Sequence, residues 1–423
     1  MTMQNHTAGP KENRSASKTS RRVHAAGIDG RIDGVTVREA DRRLLACTGP
    51  DALDTTHFDT VRFPAPEWAE ELFAEAAADG SRAYSLYRGS DEVRAALAPV
   101  LTDWLGFDVD ADQNILLTPG TQAGLFTSLT SLVDPGDDVV LFDPEYLFSE
   151  RILTFLGANI RNVPILTDGA HPTIDFERLE SVLREGPKLI VFSHPNNPTG
   201  TVYPQAVLER IAELAVRYDV QVLVDELYSR LVYPGTTFVH LASLPGMRER
   251  TVTLLGPSKT ESLSGYRLGV VVAPDHVVEV AEDVLAFTSL RAPAYAQNVL
   301  KGWLVKDVEW VAERVADLAK IRQFTIAKLS ELEWLKMSPQ QGTAYLFVDV
   351  RALGLPDTEI AEALAREANV LISPGYQFGP GGVGHLRICF ARDEEEWRIA
   401  LGRIVDVLQS LYERATTAAV PVG

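Results

Sequence analysis

The sequence predicts an α/β protein: a large domain whose seven-stranded, mostly parallel sheet is sandwiched by helices, followed by a smaller α+β domain. Three observations predict it. From Asn114 onward, short continuous apolar runs alternate with amphipathic helical stretches, the pattern of βαβ units whose strands are covered on both faces. Each run stops at Gly, Pro, Asn or Asp, residues that punctuate regular structure. Beyond residue 293 the order changes, a long helical stretch preceding three strands and two more helices.

Residues 1–22 are polar and end in Arg21-Arg22. They lack the ~7–15 apolar residues of a secretory signal, so a disordered arm is expected. Residues 23–62 show little periodicity and are assigned to a segment that joins the small domain. The large domain is expected over 63–292. Its first helix begins at Glu67, where Trp68, Leu72, Phe73 and Ala76 share a face, and ends near Gly80. A second runs over about 90–105, with Ser90 and Asp91 as N-cap candidates and Val93, Leu97, Val100 and Leu101 as its stripe. Strands follow at 115–118, 138–142, 159–163, 189–193, 221–225, 251–255 and 267–272, with helices near 121–133, 147–156, 174–185, 204–218 and 275–288. The remainder, 293–423, holds a helix over 293–332, strands at 344–350, 370–373 and 385–390, and helices near 357–368 and 394–414.

Composition narrows the function. With 46% hydrophobic and 23% charged residues, the 423-residue chain is ordinary for a globular protein. No run approaches the roughly 20 apolar residues of a membrane-spanning helix. A net charge of -18 disfavours nucleic acid or an anionic membrane as partner, because the field of the whole molecule repels phosphate. Two cysteines, Cys47 and Cys389, are too few for a disulfide framework or a thiolate zinc site, so no metal is expected and a cytoplasmic location is.

In open α/β sheets ligands collect at the carboxyl ends of parallel strands. After the apolar run 251–255 the chain breaks at Gly256-Pro257, presents Ser258-Lys259, and resumes after Gly265 and Arg267. An amine there can form a Schiff base with an aldehyde cofactor, while the hydroxyl and the guanidinium hold that cofactor's phosphate. Four other strand ends carry matching residues. Gly120-Thr121 opens a helix, which is either ordinary capping or an anion site at the positive end of the helix dipole. Tyr146 either packs or stacks on a flat ring. In His194-Pro195-Asn196-Asn197-Pro198-Thr199-Gly200, a rigid turn also aims the Asn197 amide. Asp225, after three apolar residues, is either a cap or the partner of a protonated pyridine nitrogen, with Tyr228 three residues on.

These segments carry a resemblance. Gly-Thr-Gln-Ala at 120–123, Pro-x-Tyr at 144–146, Asn-Asn-Pro-Thr-Gly at 196–200, Asp-x-x-Tyr at 225–228, Ser-Lys-x(5)-Gly-x-Arg-x-Gly at 258–269 and His-Leu-Arg at 385–387 occur in the order and spacing of class I/II aminotransferases. The chain thus resembles a fold type I, aspartate aminotransferase-like enzyme dependent on pyridoxal 5′-phosphate, over roughly residues 63–415. The resemblance implies that Lys259 carries the cofactor and moves a proton between the substrate Cα and the cofactor. It implies that Asp225 pairs the pyridine nitrogen, Asn197 and Tyr228 contact the ring hydroxyl, and Tyr146 stacks on the ring. Gly120, Thr121, Ser258 and Arg267 would bind the phosphate, and Arg387 the substrate α-carboxylate, near Asn197. Tyr84 would reach the phosphate of a neighbouring subunit, implying a homodimer with interface sites. The implied reaction moves an amino group from an L-amino acid to a 2-oxo acid.

The chain also departs from the family's pattern. The N-terminal Gly-x-Pro-Asp-Phe segment is not cleanly present, and Gly49-Pro50-Asp51 and His57-Phe58-Asp59-Thr60 are rival placements. Leu86-Tyr87-Arg88 replaces a more usual proline-rich stretch. Glu261 stands where small or aromatic residues are common, and is expected as a solvated loop charge or a pocket residue. Arg291 is a candidate contact for a substrate side-chain carboxylate. The same cofactor residues would serve a lyase, a cyclase or an oxidase, and an inactive binding protein on this fold is a further alternative.

Overall fold

The computed structural model describes residues 18–27, 37–59, 63–78, 84–167 and 172–418. Of the expected disordered arm, residues 1–17 lie outside the described residues, as does Thr60. The rest of the arm is helical instead, in α1 (Lys18–Ala25). There the Arg22 guanidinium stands 4.9 Å from the centre of the Phe155 ring. Helix α2 (Val37–Cys47), strand β1 (Leu53–Asp54), and helices α3 (Glu67–Ala78) and α4 (Asp91–Leu105) follow. Helix α4 stops at Gly106, whose φ of 78° lies in the left-handed region that a C-terminal cap requires.

The large sheet contains β2 (Ile115–Pro119), β3 (Asp138–Asp143), β4 (Asn159–Leu166), β5 (Thr173–Ile174), β6 (Leu189–Ser193), β7 (Gln221–Asp225), β8 (Thr251–Leu255) and β9 (Leu268–Val272), in the order β2-β9-β8-β7-β6-β3-β4-β5. The seven expected strands are joined by an eighth, the two-residue β5, antiparallel to β4 at the edge. Alternate residues of each central strand enter opposite layers. Val140 and Phe142 pack with α7 (Phe176–Leu183) and α8 (Gln205–Arg217), while Val139 and Leu141 pack with α5 (Thr121–Leu132), α6 (Leu147–Leu156) and α9 (Asp275–Phe287). That two-sided burial explains the unbroken apolar runs.

Strand β9 runs antiparallel to both neighbours, β2 and β8. Its amino end therefore lies beside the carboxyl ends of β2 and β8, and Arg267, expected as its first residue, instead sits just outside it with φ 55°. The helix expected over 293–332 is broken into α10 (Ala294–Gln297), a 3-10 turn at Asn298–Lys301, and α11 (Val308–Leu329). The break follows from packing: a Cβ on Gly302 would meet the Trp68 ring at 2.7 Å, and Leu304 adopts φ 66°.

A second sheet comprises β10 (Lys336–Met337), β11 (Tyr345–Asp349), β13 (Ser373–Pro374) and β14 (His385–Cys389), antiparallel in the order β10-β11-β14-β13. Strand β12 (Val370–Leu371) pairs instead with β1, so the 53–54 segment belongs to this part of the molecule. Helices α12 (Asp357–Ala363) and α13 (Glu394–Ala418) cover it. Residues 364–368 continue α12 as a π-turn.

Candidate active site

A cavity of about 390 Å³ opens at the carboxyl edge of the large sheet, and β14 closes it from the other side. Its lining includes Thr121, Tyr146, Asn197, Asp225, Tyr228, Ser258, Lys259, Arg267 and Arg387. The sheet order explains the gathering. Asp225 is registered with Ser193 on one side and Leu254 on the other, so the turns after β6, β7 and β8 emerge side by side. Pro119 is registered with Leu268, which brings Gly120 against Arg267.

At that end the backbone and the guanidinium touch. A Cβ on Gly120 would lie 2.3 Å from Arg267 Nη2, and Gly120 has φ 83°, so glycine is required twice over. The first turn of α5 begins there with its N–H groups directed to the cavity edge. A Cβ on Gly269 would meet the Thr121 nitrogen at 2.6 Å, which keeps α5 close against β9.

At the floor, Asp225 Oδ1 accepts from the Leu227 N–H at 3.1 Å. Burial above all, opposed by the Leu227 N–H and Lys259 and aided by the neighbouring Glu226, pushes this carboxyl up to about 6. Lys259 Nζ donates to the Phe58 carbonyl at 2.5 Å. Tyr146 Oη bonds Gln122 Oε1 at 2.9 Å, and burial raises the Tyr146 phenol above its usual value.

The 193–200 turn is rigid for a reason that spacing alone did not supply. Glu145 is buried beneath it and accepts from the Ser193 N–H at 2.8 Å and from Asn196 Nδ2 at 3.2 Å. Desolvation pushes the Glu145 carboxyl up to about 8, against the hydrogen bonds it accepts from Ser193 and the Tyr146 N–H. Above it, Arg387 Nη1 donates to Asn197 Oδ1 at 2.7 Å. A guanidinium only donates, so the amide oxygen must face Arg387 and the amide NH2 is left toward the cavity.

Arg387 is held through both terminal nitrogens and between two rings, while its buried Nε has no partner among the described residues. Its Nη2 donates to the Thr56 carbonyl and to Ser373 Oγ, and its plane lies 4.2 Å from the Tyr345 ring centre and 4.5 Å from that of Phe378. The segment that completes the site is therefore 56–59, whereas Gly49 and Pro50 bond Asn369 away from the cavity. The sequence pattern assigned no role to Gln122 and Glu145 within their motifs and did not single out Tyr345 or Ser373, which periodicity does not distinguish from core or turn.

Four candidates lie outside the cavity lining, the nearest being Gly120, which stands against Arg267 at its edge. Tyr84 is 78% exposed, and Arg291 stacks over the rings of Tyr84 and Tyr87 at 4.7 and 4.2 Å. Glu261 is neither a solvated charge nor a pocket residue: it is fully buried, with Oε1 2.5 Å from Arg230 Nη1. The same nitrogen donates to Asp307 Oδ2 at 2.6 Å, at the start of α11. Among the described residues, no group of three or more His, Cys, Asp or Glu could hold a metal ion, and no helix is long and apolar enough to cross a membrane.

The family model described as "Aminotransferase class I and II" matches residues 54–404. Aromatic-amino-acid aminotransferase 2 of Thermococcus litoralis is 30% identical over 384 residues, covering 90% of this chain and 98% of that protein. Aspartate/prephenate aminotransferase of Thermus thermophilus is 31% identical over 390 residues, covering 91% and 94%. The crystal structure of an aspartate aminotransferase from Rhodobacter sphaeroides superposes with a TM-score of 0.84 at 32% identity, covering 92% of this chain and 98% of that one.

Proposed function

The chain belongs to the class I and II aminotransferase family, and on that premise we propose how its own residues carry out amino-group transfer from an L-amino acid to a 2-oxo acid. The observation that carries the reading is that Lys259 and Asp225 line one cavity, Asp225 at the carboxyl end of β7 and Lys259 on the turn after the adjacent parallel strand β8.

The proposed cofactor is pyridoxal 5′-phosphate, and the cavity fits it on two counts. A glycine, a guanidinium and a helix amino end form a cradle that a single Cβ would fill, as phosphate binding requires. Asp225 has a raised carboxyl pKa and, apart from one backbone N–H, faces the cavity, so a cationic ring nitrogen would stabilise its charged form. When bound, the group supplies an aldehyde for the lysine amine and a ring that accepts electrons from the substrate's α-carbon.

The protein supplies the rest. Gly120, Thr121, Ser258 and Arg267 would hold the phosphate, and Tyr146 would cover the ring. The free Asn197 NH2 and the Tyr228 hydroxyl would donate to the ring oxygen, and burial, which keeps Tyr228 un-ionised, suits that role. Arg387 would clamp the substrate carboxylate. Lys259 Nζ would hold the aldehyde and would also take the proton from the substrate Cα. We further propose a cytoplasmic homodimer, in which the exposed Tyr84 reaches the partner's phosphate.

The test is a panel of amino donors against 2-oxoglutarate and pyruvate, spanning aromatic and acidic side chains because the relatives' names span both. New 2-oxo acid in step with new amino acid supports transfer. Ammonia with pyruvate, or hydrogen peroxide, would replace that reading with lyase or oxidase chemistry.

A further inference from the structure

We propose that Tyr345 is a positioning residue for amino transfer: its hydroxyl sets the direction in which Tyr228 presents its proton, and its ring supports Arg387. The inference rests on the cofactor reading above and adds a residue to it. Tyr345 opens β11, where pairing with Cys389 of β14 fixes its backbone, and the residue is buried.

Two groups meet its hydroxyl. The Phe58 N–H lies 3.1 Å away, and the Tyr228 hydroxyl 3.2 Å. A backbone N–H can only donate, so the Tyr345 oxygen accepts from Phe58. Between the two phenols, one proton must lie on the line joining them. If Tyr228 donated, its single proton would be spent on Tyr345, and none would be left for the ring oxygen that the cofactor reading assigns to it, although both phenols line the cavity. In the opposite sense every group is used: Phe58 N–H to Tyr345, Tyr345 O–H to Tyr228. The Tyr228 proton is then the one that remains, and it is free to enter the cavity that Tyr228 lines. Chained donors polarise one another, so the same sequence strengthens the outward bond.

The other contacts of Tyr345 serve the same site. The Phe58 carbonyl accepts from Lys259 Nζ, and the Thr56 carbonyl accepts from Arg387. By bonding Phe58, Tyr345 holds the strap that supplies both acceptors. The Arg387 guanidinium lies 4.2 Å from its ring centre, within the range of a cation–π contact. One side chain thus touches the groups assigned to the ring oxygen and the carboxylate, and reaches the lysine through Phe58.

The experiment separates hydroxyl from ring with the cofactor-loaded protein. Tyr345→Phe keeps the ring, Tyr345→Leu removes both, and each is combined with Tyr228→Phe. The primary readout is the pH midpoint of the bound cofactor's visible absorbance without substrate; kcat and KM are secondary. Tyr345→Phe is expected to move the midpoint by at least about half a unit in the same direction as Tyr228→Phe, and to lower kcat roughly 3–30-fold with KM nearly unchanged. In the Tyr228→Phe background it should move the midpoint no further. Tyr345→Leu should in addition raise the amino-acid KM roughly threefold to thirtyfold. A wild-type midpoint in Tyr345→Phe, or a shift that adds undiminished to that of Tyr228→Phe, overturns the proposal. Should the phenylalanine variant not fold, 3-fluorotyrosine at 345 retains each contact while making the hydroxyl more acidic; an unmoved midpoint then overturns it. Failure of the unaltered protein to take up pyridoxal phosphate would instead sink the cofactor reading, a separate result.

Discussion

The bond from Arg387 Nη1 to Asn197 Oδ1, 2.7 Å long, crosses from the small sheet to the turn after β6 and orients both side chains. Its consequence is that the two cannot be changed independently. Arg387→Lys loses the planar fork, the bond to Asn197 and the seat between two rings. The amino-acid KM should rise roughly 10–100-fold, the equivalent of about 1.4–2.8 kcal/mol, with a smaller loss in kcat. Asn197→Ala should reproduce part of that KM increase because Arg387 loses its anchor. Steady-state kinetics on the two single variants and the double variant would check the coupling, and strictly additive effects would contradict it.

Asp225 makes a pH-dependent prediction. Burial lifts its folded-state value to about 6, above the unfolded 3.8. A carboxyl raised in this way binds protons more tightly when folded, so its contribution is greatest at low pH and is lost as pH rises from about 4 to 6. The cofactor-free protein with Asp225→Asn should therefore melt about 1–3 °C higher than the unaltered protein at pH 8, with the gain shrinking toward pH 4. The same variant should bind pyridoxal phosphate more weakly. Calorimetry at both pH values, with and without cofactor, separates the two effects.

Arg230, Glu261 and Asp307 tie the lysine loop to the start of α11. Removing the cation leaves two buried carboxylates unpaired, so Arg230→Ala should cost about 3–5 kcal/mol. Burial pushes the Glu261 carboxyl up to about 7, from 4.5 in the unfolded chain, which by the same linkage lowers stability as pH climbs between those values. Glu261→Gln should thus compare more favourably with the parent at pH 8 than at pH 4. Denaturant unfolding would show this, and a difference independent of pH would refute it.

Gly120→Ala places a methyl group where Arg267 Nη2 now stands, at a left-handed φ. Cofactor affinity should fall at least about tenfold, since the guanidinium must vacate the cradle. Fluorescence titration of the cofactor-free variant measures it directly.

Tyr84 tests the proposed dimer. Lys259→Ala and Tyr84→Ala should each be impaired as homogeneous proteins. Mixing them in equal amounts under subunit exchange should restore about a quarter of the normal sites, because half the dimers are hybrids with one intact site. No recovery, with exchange verified by mass, would remove Tyr84 from the neighbouring site.

Much of the site was legible because the signals were local. Strands β6 and β7 end at residues that line the cavity, Ser193 and Asp225, and the residues just past β3, β6, β7 and β8, namely Tyr146, Asn197, Tyr228 and Lys259, are carried there by short turns. What escaped was long-range. Phe58 meets Lys259 across 201 residues and Thr56 meets Arg387 across 331, separations over which periodicity carries no information. Glu261 read as a loop charge because nothing near it in sequence announces Arg230 and Asp307, and the helix after 293 read as continuous because the Trp68 ring that Gly302 packs against lies far upstream.

The amino-acid order by itself determined the alternation of strand and helix, and with it the chemical groups at each strand's carboxyl end, since apolar periodicity and turn residues act over a few positions. The tertiary structure alone decided which donor faces which acceptor: that Arg387 orients Asn197, that Tyr345 joins Phe58 to Tyr228, and that Glu261 is buried against Arg230. Those pairings depend on two sheets packing together, and packing is a property of surfaces that the chain forms only once it has folded.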